Sequence, residues 1–310
     1  MMRLVSAQTL LGVKTWFPGV IQWRSRSSGL MFVPLVLSIL GCAILIGCRA
    51  GSAESQYLAR GKGFLEKKDY ARAILEFKNA SRLAPKDAEP LYQAALAYIA
   101  SGNMSGAVSS LGKATELNPK HAGAQLKLAE LMTTSRNPKT VEEARRRVES
   151  VLESSPDDPD ALHALAMTEI RLGDTDRALA HLEQALEKAP QHLNSALAVV
   201  RLKLKAKDEK GAEQVLQTMV SGPTPSAHAL VILGRFYLMT SRVADAEVQF
   251  RRALEMEPKN GMALVDFGAV QMHNGQKEQA DKTFKQLSAL PNRAYRPLHA
   301  LFLFEQGQRH

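Results

Sequence analysis

One short segment of the chain has the spacing of a catalytic nucleophile and its partner. Ser110-Leu111-Gly112-Lys113 fits the S-x-x-K pattern, but it stands alone, without the further motifs of that chemistry. The sequence also has no phosphate-binding glycine loop, no zinc-type cysteine or histidine spacing and no nucleophile elbow. The eight histidines, among them His163, His181 and His273, show no ligand-like pairing. The sequence therefore predicts a protein that is not an enzyme and that needs no cofactor or metal.

The secondary structure around these residues can be inferred from an alanine that recurs at a nearly constant interval. The intervals are 34, 37, 34, 34, 34 and 34 residues, between Ala73, Ala107, Ala144, Ala178, Ala212, Ala246 and Ala280. Such a period indicates a stack of one supersecondary unit. Within each unit apolar residues recur every three or four positions, which is typical of amphipathic helices, and polar or glycine turns separate two such stretches. The pattern predicts an all-α solenoid in which the alanines form a buried seam.

Other positions keep the same period. A bulky apolar residue follows each alanine by four positions, and a proline follows five of the seven by twelve. A small residue usually precedes the alanine by twelve positions, as Gly61, Ala95 and Gly234 do. Over residues 54–306 the pattern resembles the tetratricopeptide repeat (TPR). The resemblance implies a superhelical solenoid of seven helix-turn-helix repeats, followed by a terminal helix over residues 296–305.

The register also predicts domain boundaries. We expect repeats one to five over residues 54–226, and repeats six and seven with the terminal helix over residues 227–310. Three extra residues in the turn at 134–140 predict a surface bulge in repeat three. The Gly- and Pro-containing segment 221–226 predicts a bend between repeats five and six.

The N-terminal 47 residues are a different kind of sequence. They contain four basic and no acidic residues, and an uncharged apolar stretch runs from Leu30 to Gly47. Leu45-Ile46-Gly47-Cys48 resembles the bacterial lipobox, which implies lipid attachment at Cys48 after removal of a signal peptide. An uncleaved membrane anchor is the alternative, because 18 apolar residues are about the minimum length that spans a bilayer. In both cases residues 48–53 form a short tether and the repeats lie outside the cytoplasm. For the lipidated protein in a Gram-negative cell, Arg49 after the cysteine favours the periplasmic face of the outer membrane.

The TPR resemblance also assigns a peptide-binding groove to the first helix of each repeat. The residues carried over to this groove are Tyr92, Met167, Ile170, Arg171, Arg201, Lys205, Arg235 and Leu238. Because four of them are basic, an extended peptide with apolar and acidic side chains is the expected ligand. The alternative interpretation is that these cations are solvated between hydrophobic spacers.

Together these observations predict a membrane-tethered scaffold that binds protein segments in the bacterial cell envelope. The chain resembles TPR lipoproteins of exopolysaccharide export and PEP-CTERM sorting. Pilus or outer-membrane assembly lipoproteins remain alternatives, as does the TPR part of a larger enzyme such as a glycosyltransferase. Export argues against nucleic acid as a partner, although the formal net charge is +9.

Overall fold

The computed structural model describes residues 53–222, 225–295 and 297–298. The signal or anchor segment 1–47, the lipid-attachment candidate Cys48 and most of the expected terminal helix lie outside these residues. The described part is all-helical, with no strand. Its helices are α1 (53–66), α2 (Tyr70–Leu83), α3 (Glu89–Ala100), α4 (Met104–Leu117), α5 (Ala122–Thr133), α6 (Pro138–Ser154), α7 (Pro159–Leu172), α8 (Thr175–Lys188), α9 (Leu193–Lys205), α10 (Glu209–Ser221), α11 (Ala227–Met239), α12 (Val243–Met256), α13 (Gly261–His273) and α14 (Lys277–Ser288).

Consecutive helices pair into seven repeats, α1/α2 to α13/α14, and each repeat packs on the next. All seven alanines of the periodic set are fully buried, which confirms the seam. The bulky residue four positions later is buried beside each of them, as Phe77, Leu111 and Leu182 illustrate.

Side-chain caps start most of the second helices. The side chains of Asp69, Asn103, Asn137, Asp174 and Asp208 each accept a hydrogen bond from a backbone N–H in the first turn of the following helix. Such a cap satisfies one of the donors that a helix start leaves free. The residue before the cap has a positive φ in most turns, for example Gly102 and Gly173. Polar turn residues at a fixed interval therefore set where each second helix begins.

The expected bulge in repeat three takes a different form. The turn between α5 and α6 covers only residues 134–137, and α6 has 17 residues where α4 and α8 have 14. Asn137 caps α6 and Pro138 occupies its first turn, where a proline has no hydrogen bond to lose. The extra residues therefore lengthen a helix by about one turn.

The hydrophobic core continues across the segment at 221–226. Val220 at the end of α10 and Ala227 at the start of α11 are both buried in one cluster that also contains Phe250 and Val270. Apolar contacts thus join repeats five, six and seven.

Candidate binding groove

The first helices of repeats two to five line a cavity of about 700 Å³, which we call the central pocket. Helices α3, α5, α7 and α9 each contribute to its wall. The lining residues are Tyr92, Gly123, Leu126, Lys127, Glu130, Thr133, Thr134, Asp160, His163, Ala164, Met167, Ile170, Arg171 and Asn194. The pocket therefore brings together four of the predicted groove residues, Tyr92, Met167, Ile170 and Arg171.

Tyr92 is held at one end of the pocket by a histidine of the next repeat. The two ring centroids of Tyr92 and His121 are 4.9 Å apart. His121 itself is fixed at the start of α5, because its Nδ1 accepts the N–H of Ala124 at 3.1 Å and its Nε2 lies 3.2 Å from Glu89 Oε2. Burial raises the pKa of Tyr92, so its phenol stays neutral and available as a hydrogen-bond donor.

The charged residues of the pocket are of both signs. Lys127 and Glu130 pair with each other at 2.5 Å on α5. The guanidinium of Arg171 donates two hydrogen bonds to the carbonyl of Ser135, at 3.1 and 2.9 Å. Asp160 adds a second carboxylate, whose side chain is 74% exposed. The two cations and the two carboxylates balance, so the central pocket itself is not a basic site.

A chain of polar groups joins α7 to the start of α9. Asp160 Oδ1 lies 3.1 Å from His192 Nε2, and His192 Nδ1 lies 2.7 Å from Ser195 Oγ. Ser195 Oγ is also 3.5 Å from Nδ1 of His163. Burial, followed by the nearby His192, lowers the pKa of His163 to about 4, so this ring is neutral at pH 7.

These are the residue types of a serine-nucleophile relay, but Ser195 is fully buried. A substrate carbonyl therefore cannot reach the oxygen of Ser195. These hydrogen bonds instead hold α7 and α9 together. In the part of the chain that the structure describes, no three His, Cys, Asp or Glu side chains are grouped to hold a metal ion. No described helix has the length and apolar character that crossing a bilayer requires.

The remaining predicted groove residues lie further along the first helices. A nitrogen of Arg201 lies 3.9 Å from the sulfur of Met167, so Arg201 borders the pocket. Lys205 is exposed one turn further along α9, and neither cation has a carboxylate at ion-pair distance among the described residues. Arg235 pairs with Asp266 of the next repeat at 2.5 Å. Leu238 is partly buried against the core of repeats five to seven.

Sequence reasoning missed the pocket residues of repeat three, Leu126, Glu130, Thr133 and Thr134. Each lies 37 residues before a groove position of repeat four, namely His163, Met167, Ile170 and Arg171. The signal was thus present in the alanine register, because 37 is the one interval that the insertion lengthens.

Comparison with known proteins places the array in a family. The TPR domain model of cytochrome c-type biogenesis protein H matches residues 94–196. Two further tetratricopeptide models match residues 169–231 and 58–116.

Two curated proteins share part of the array. Cellulose synthase operon protein C of Komagataeibacter sucrofermentans is 26% identical over 157 residues, which cover 47% of this chain and 12% of that protein. The human protein O-mannosyl-transferase TMTC3 is 24% identical over 206 residues, 66% of this chain and 22% of that protein. The chain thus spans a small part of the length of the curated relatives that it matches.

A solved structure of Pseudomonas aeruginosa PilF has the same fold. It superposes with a TM-score of 0.52 at 16% sequence identity, over 72% of this chain and 99% of that chain. Three tetratricopeptide models match successive parts of this stack of helix pairs, and the chain is a tetratricopeptide repeat protein.

Proposed function

We propose that the protein is a non-enzymatic scaffold whose first-helix groove holds an extended segment of another protein in the bacterial cell envelope. The observation that carries the proposal is the central pocket. It combines an apolar floor with hydrogen-bonding and charged groups of both signs, which is the composition of sites that bind peptides and small ligands. Tetratricopeptide arrays in general present their extended inner surface to protein partners.

The pocket and the cations beside it suggest how a segment binds. Leu126, Met167 and Ile170 give an apolar side chain a place to be buried, and the phenol of Tyr92 offers a hydrogen-bond donor. The guanidinium of Arg201 is exposed at the border and can hold a carboxylate in a bidentate pair. Because Arg235 is already paired and the pocket charges balance, the attraction for acidic groups is confined to Arg201 and Lys205.

A membrane tether is part of this proposal. The lipobox-like Leu45-Ile46-Gly47-Cys48 supports lipid attachment at Cys48, with the repeats outside the cytoplasm. Mass spectrometry of the mature protein tests it: a diacylated N-terminal cysteine is expected, and an unlipidated protein recovered from the cytoplasm would contradict it.

Exopolysaccharide export is the pathway that we propose for the scaffold. Its support is the partial similarity to cellulose synthase operon protein C. Protein sorting and the assembly of pili or the outer membrane are roles that the same groove would serve with other partners.

A second candidate is that the array is the binding part of a larger enzyme. The similarity to TMTC3, a protein O-mannosyl-transferase, favours this candidate because it covers 66% of this chain. A catalytic reading frame fused to the array in the genome would support it.

Site-specific photocrosslinking tests the groove. A photoreactive residue at position 92 or 167 should give protein adducts in envelope membranes, because both positions line the central pocket. Leu75 of α2 is the matched control, since it is apolar, 55% exposed and outside the pocket. Equal adduct yields from position 75 would contradict the groove proposal.

A charge reversal tests the role of Arg201. Arg201→Glu should weaken capture of the same adducts by about tenfold, the size of one lost charge-assisted contact. Lys210→Glu on α10 is the control, because it reverses an exposed charge on a second helix. An unchanged adduct yield with Arg201→Glu would contradict the preference for an acidic segment, but it would not contradict the scaffold proposal.

A further inference from the structure

We propose that a cleft between the second helices of repeats one and two binds a phosphate group. The basic cleft has a volume of about 360 Å³ and lies apart from the central pocket, between α2 and α4 above α3. Its cations are Lys78 and Arg82 on α2 and Lys113 on α4. This site does not rest on the proposed scaffold function.

The floor of the cleft is an aromatic ring. The ring of Tyr98 lies against Gly106, where a Cβ atom would be 2.8 Å from Tyr98 Cδ1. The ammonium of Lys78 lies 5.6 Å from the centroid of the same ring. Because a side chain at position 106 would meet the ring, glycine at this position leaves room for Tyr98 beside Lys78.

Hydroxyl groups line the same cleft. Ser81 comes from α2, and Ser109 and Ser110 come from α4. Serine hydroxyls donate hydrogen bonds to phosphate oxygens, and lysine and arginine supply the compensating charge. Two helices of the cleft thus provide both hydroxyl and cationic hydrogen-bond donors for an oxyanion.

The positive charge of the cleft is uncompensated within the described residues. None of Lys78, Arg82 and Lys113 has a carboxylate within 4.0 Å there. Two acidic residues near the start of the array are already engaged, since Glu76 pairs with Arg60 and Asp69 pairs with Arg72.

Comparison with the other repeats shows that the fold does not need these cations. The position of Arg82, nine residues after the periodic alanine, is occupied in four other repeats by Glu116, Glu153, Glu187 and Glu255. The position of Lys78 is occupied by Glu149 and Glu183 in repeats three and four, and by the basic Arg251 and Lys285 in repeats six and seven. The same framework therefore accepts glutamate at both positions. A basic residue at the position of Arg82 occurs in the first repeat alone of the seven, and this reversal of charge points to an anionic ligand.

Three separate cations and three hydroxyls suit a tetrahedral phosphate better than a single planar carboxylate, which one arginine holds by itself. The phosphate can belong to a soluble molecule or to a lipid headgroup. The chemistry of the cleft is the same for both sources, and the experiment separates them.

Lysine footprinting on the full chain in detergent tests the site. Inorganic phosphate should slow acetylation of Lys78 and Lys113, compared with sodium chloride at the same ionic strength, and should leave Lys210 unchanged. In lipid nanodiscs, phosphatidylglycerol should protect the two lysines relative to phosphatidylcholine if the source is a headgroup. Protection by inorganic phosphate without protection in phosphatidylglycerol discs identifies a soluble source, and protection in phosphatidylglycerol discs identifies the headgroup.

Arg82→Glu is the test variant, because glutamate already occupies this position in four other repeats. It should raise the phosphate concentration for half-protection by about tenfold or more. An unchanged circular dichroism spectrum controls for folding. Equal slowing of Lys210, unchanged protection in Arg82→Glu, or no protection by either source overturns the proposal.

Discussion

At the scale of single residues, His163 is the titrating group with the clearest structural consequence. Its ring is largely buried between α7 and α9, and His192, Asp160, Glu130 and Arg201 are the charged or titrating groups around it. Burial and His192 hold its pKa at about 4, well below the ordinary value of 6.5. The folded protein therefore keeps His163 neutral at pH values where the unfolded chain binds a proton.

The sign of the pH dependence follows directly. Between pH 6.5 and about 4 the unfolded state binds more protons at this position, so the free energy of unfolding falls as the pH falls. By pH 4.5 we expect a loss of about 2 kcal/mol relative to pH 7 from this residue. Urea titrations at pH 7, 5.5 and 4.5 measure it.

His163→Gln is the control for that prediction, because glutamine does not titrate. The variant should be less sensitive to acid than the wild type over the same range. Parallel loss of stability in both proteins would show that other groups control the acid response.

Single groove residues could be predicted from the sequence only in part. The repeat register, together with the groove positions that the TPR resemblance implies, identified Tyr92, Met167 and Ile170, which line the central pocket. It did not reveal that Arg235 pairs with Asp266 or that Arg171 binds the carbonyl of Ser135. Both contacts join residues about one repeat apart, and a side chain's choice among neighbours depends on rotamers that the register does not encode.

At the scale of helices, the two helices of a repeat pack through a pair of residues, a small one on the first helix and a bulky one on the second. Gly61, Gly234 and Gly268 on the first helices face Phe77, Phe250 and Phe284 on the second. Where the first helix has alanine, as in Ala95 and Ala166, the second has the smaller leucine, Leu111 and Leu182. The volumes compensate, as a close-packed interior requires.

This compensation predicts the outcome of a double-mutant cycle. Gly234→Ala would place a Cβ atom 2.5 Å from Phe250 Cε1, so we expect a destabilisation of about 1–3 kcal/mol. Adding Phe250→Leu should recover at least about 1 kcal/mol of that loss, because it recreates the alanine–leucine pair of repeats two and four. Urea titrations of the four proteins of the cycle give the coupling energy.

Gly63→Ala is the matched control. A Cβ atom at position 63 meets nothing within 4 Å, so this change should stabilise the protein by about 0.5–1 kcal/mol. Additive effects in the Gly234–Phe250 cycle would show that the two residues do not share one packing constraint.

At the scale of the whole array, the core is continuous where the sequence favours a bend. One cluster of buried residues runs from Ala196 of α9 to Val270 of α13. The composition of segment 221–226 is that of a linker, and for this reason the sequence predicted a bend there. Loop composition does not report on the apolar contacts between the flanking helices, and these are what join repeats five and six.

The shared cluster predicts that repeats five and six lose protection together. Leu216→Ala in α10 removes a buried side chain at a cost of about 2–5 kcal/mol. Because a solenoid transmits stability between neighbouring repeats, the backbone amides of α11 should exchange faster as well. Hydrogen exchange followed by mass spectrometry measures both regions.

Leu111→Ala in α4 is the comparison, since Leu111 belongs to a separate cluster of repeats two and three. It should leave the exchange of α11 unchanged. Unaltered protection of α11 in Leu216→Ala would contradict a continuous core across this junction.

The glycine–phenylalanine and alanine–leucine pairs also limit how repeats can be recombined. Recombination at the turn inside a repeat could join a first helix that has alanine to a second helix that has phenylalanine, and these two side chains would clash. A crossover between repeats keeps both partners of each pair together. Duplication, loss and engineered exchange of repeats in this protein should therefore proceed by whole helix pairs, with the segment between one second helix and the next first helix as the point of exchange.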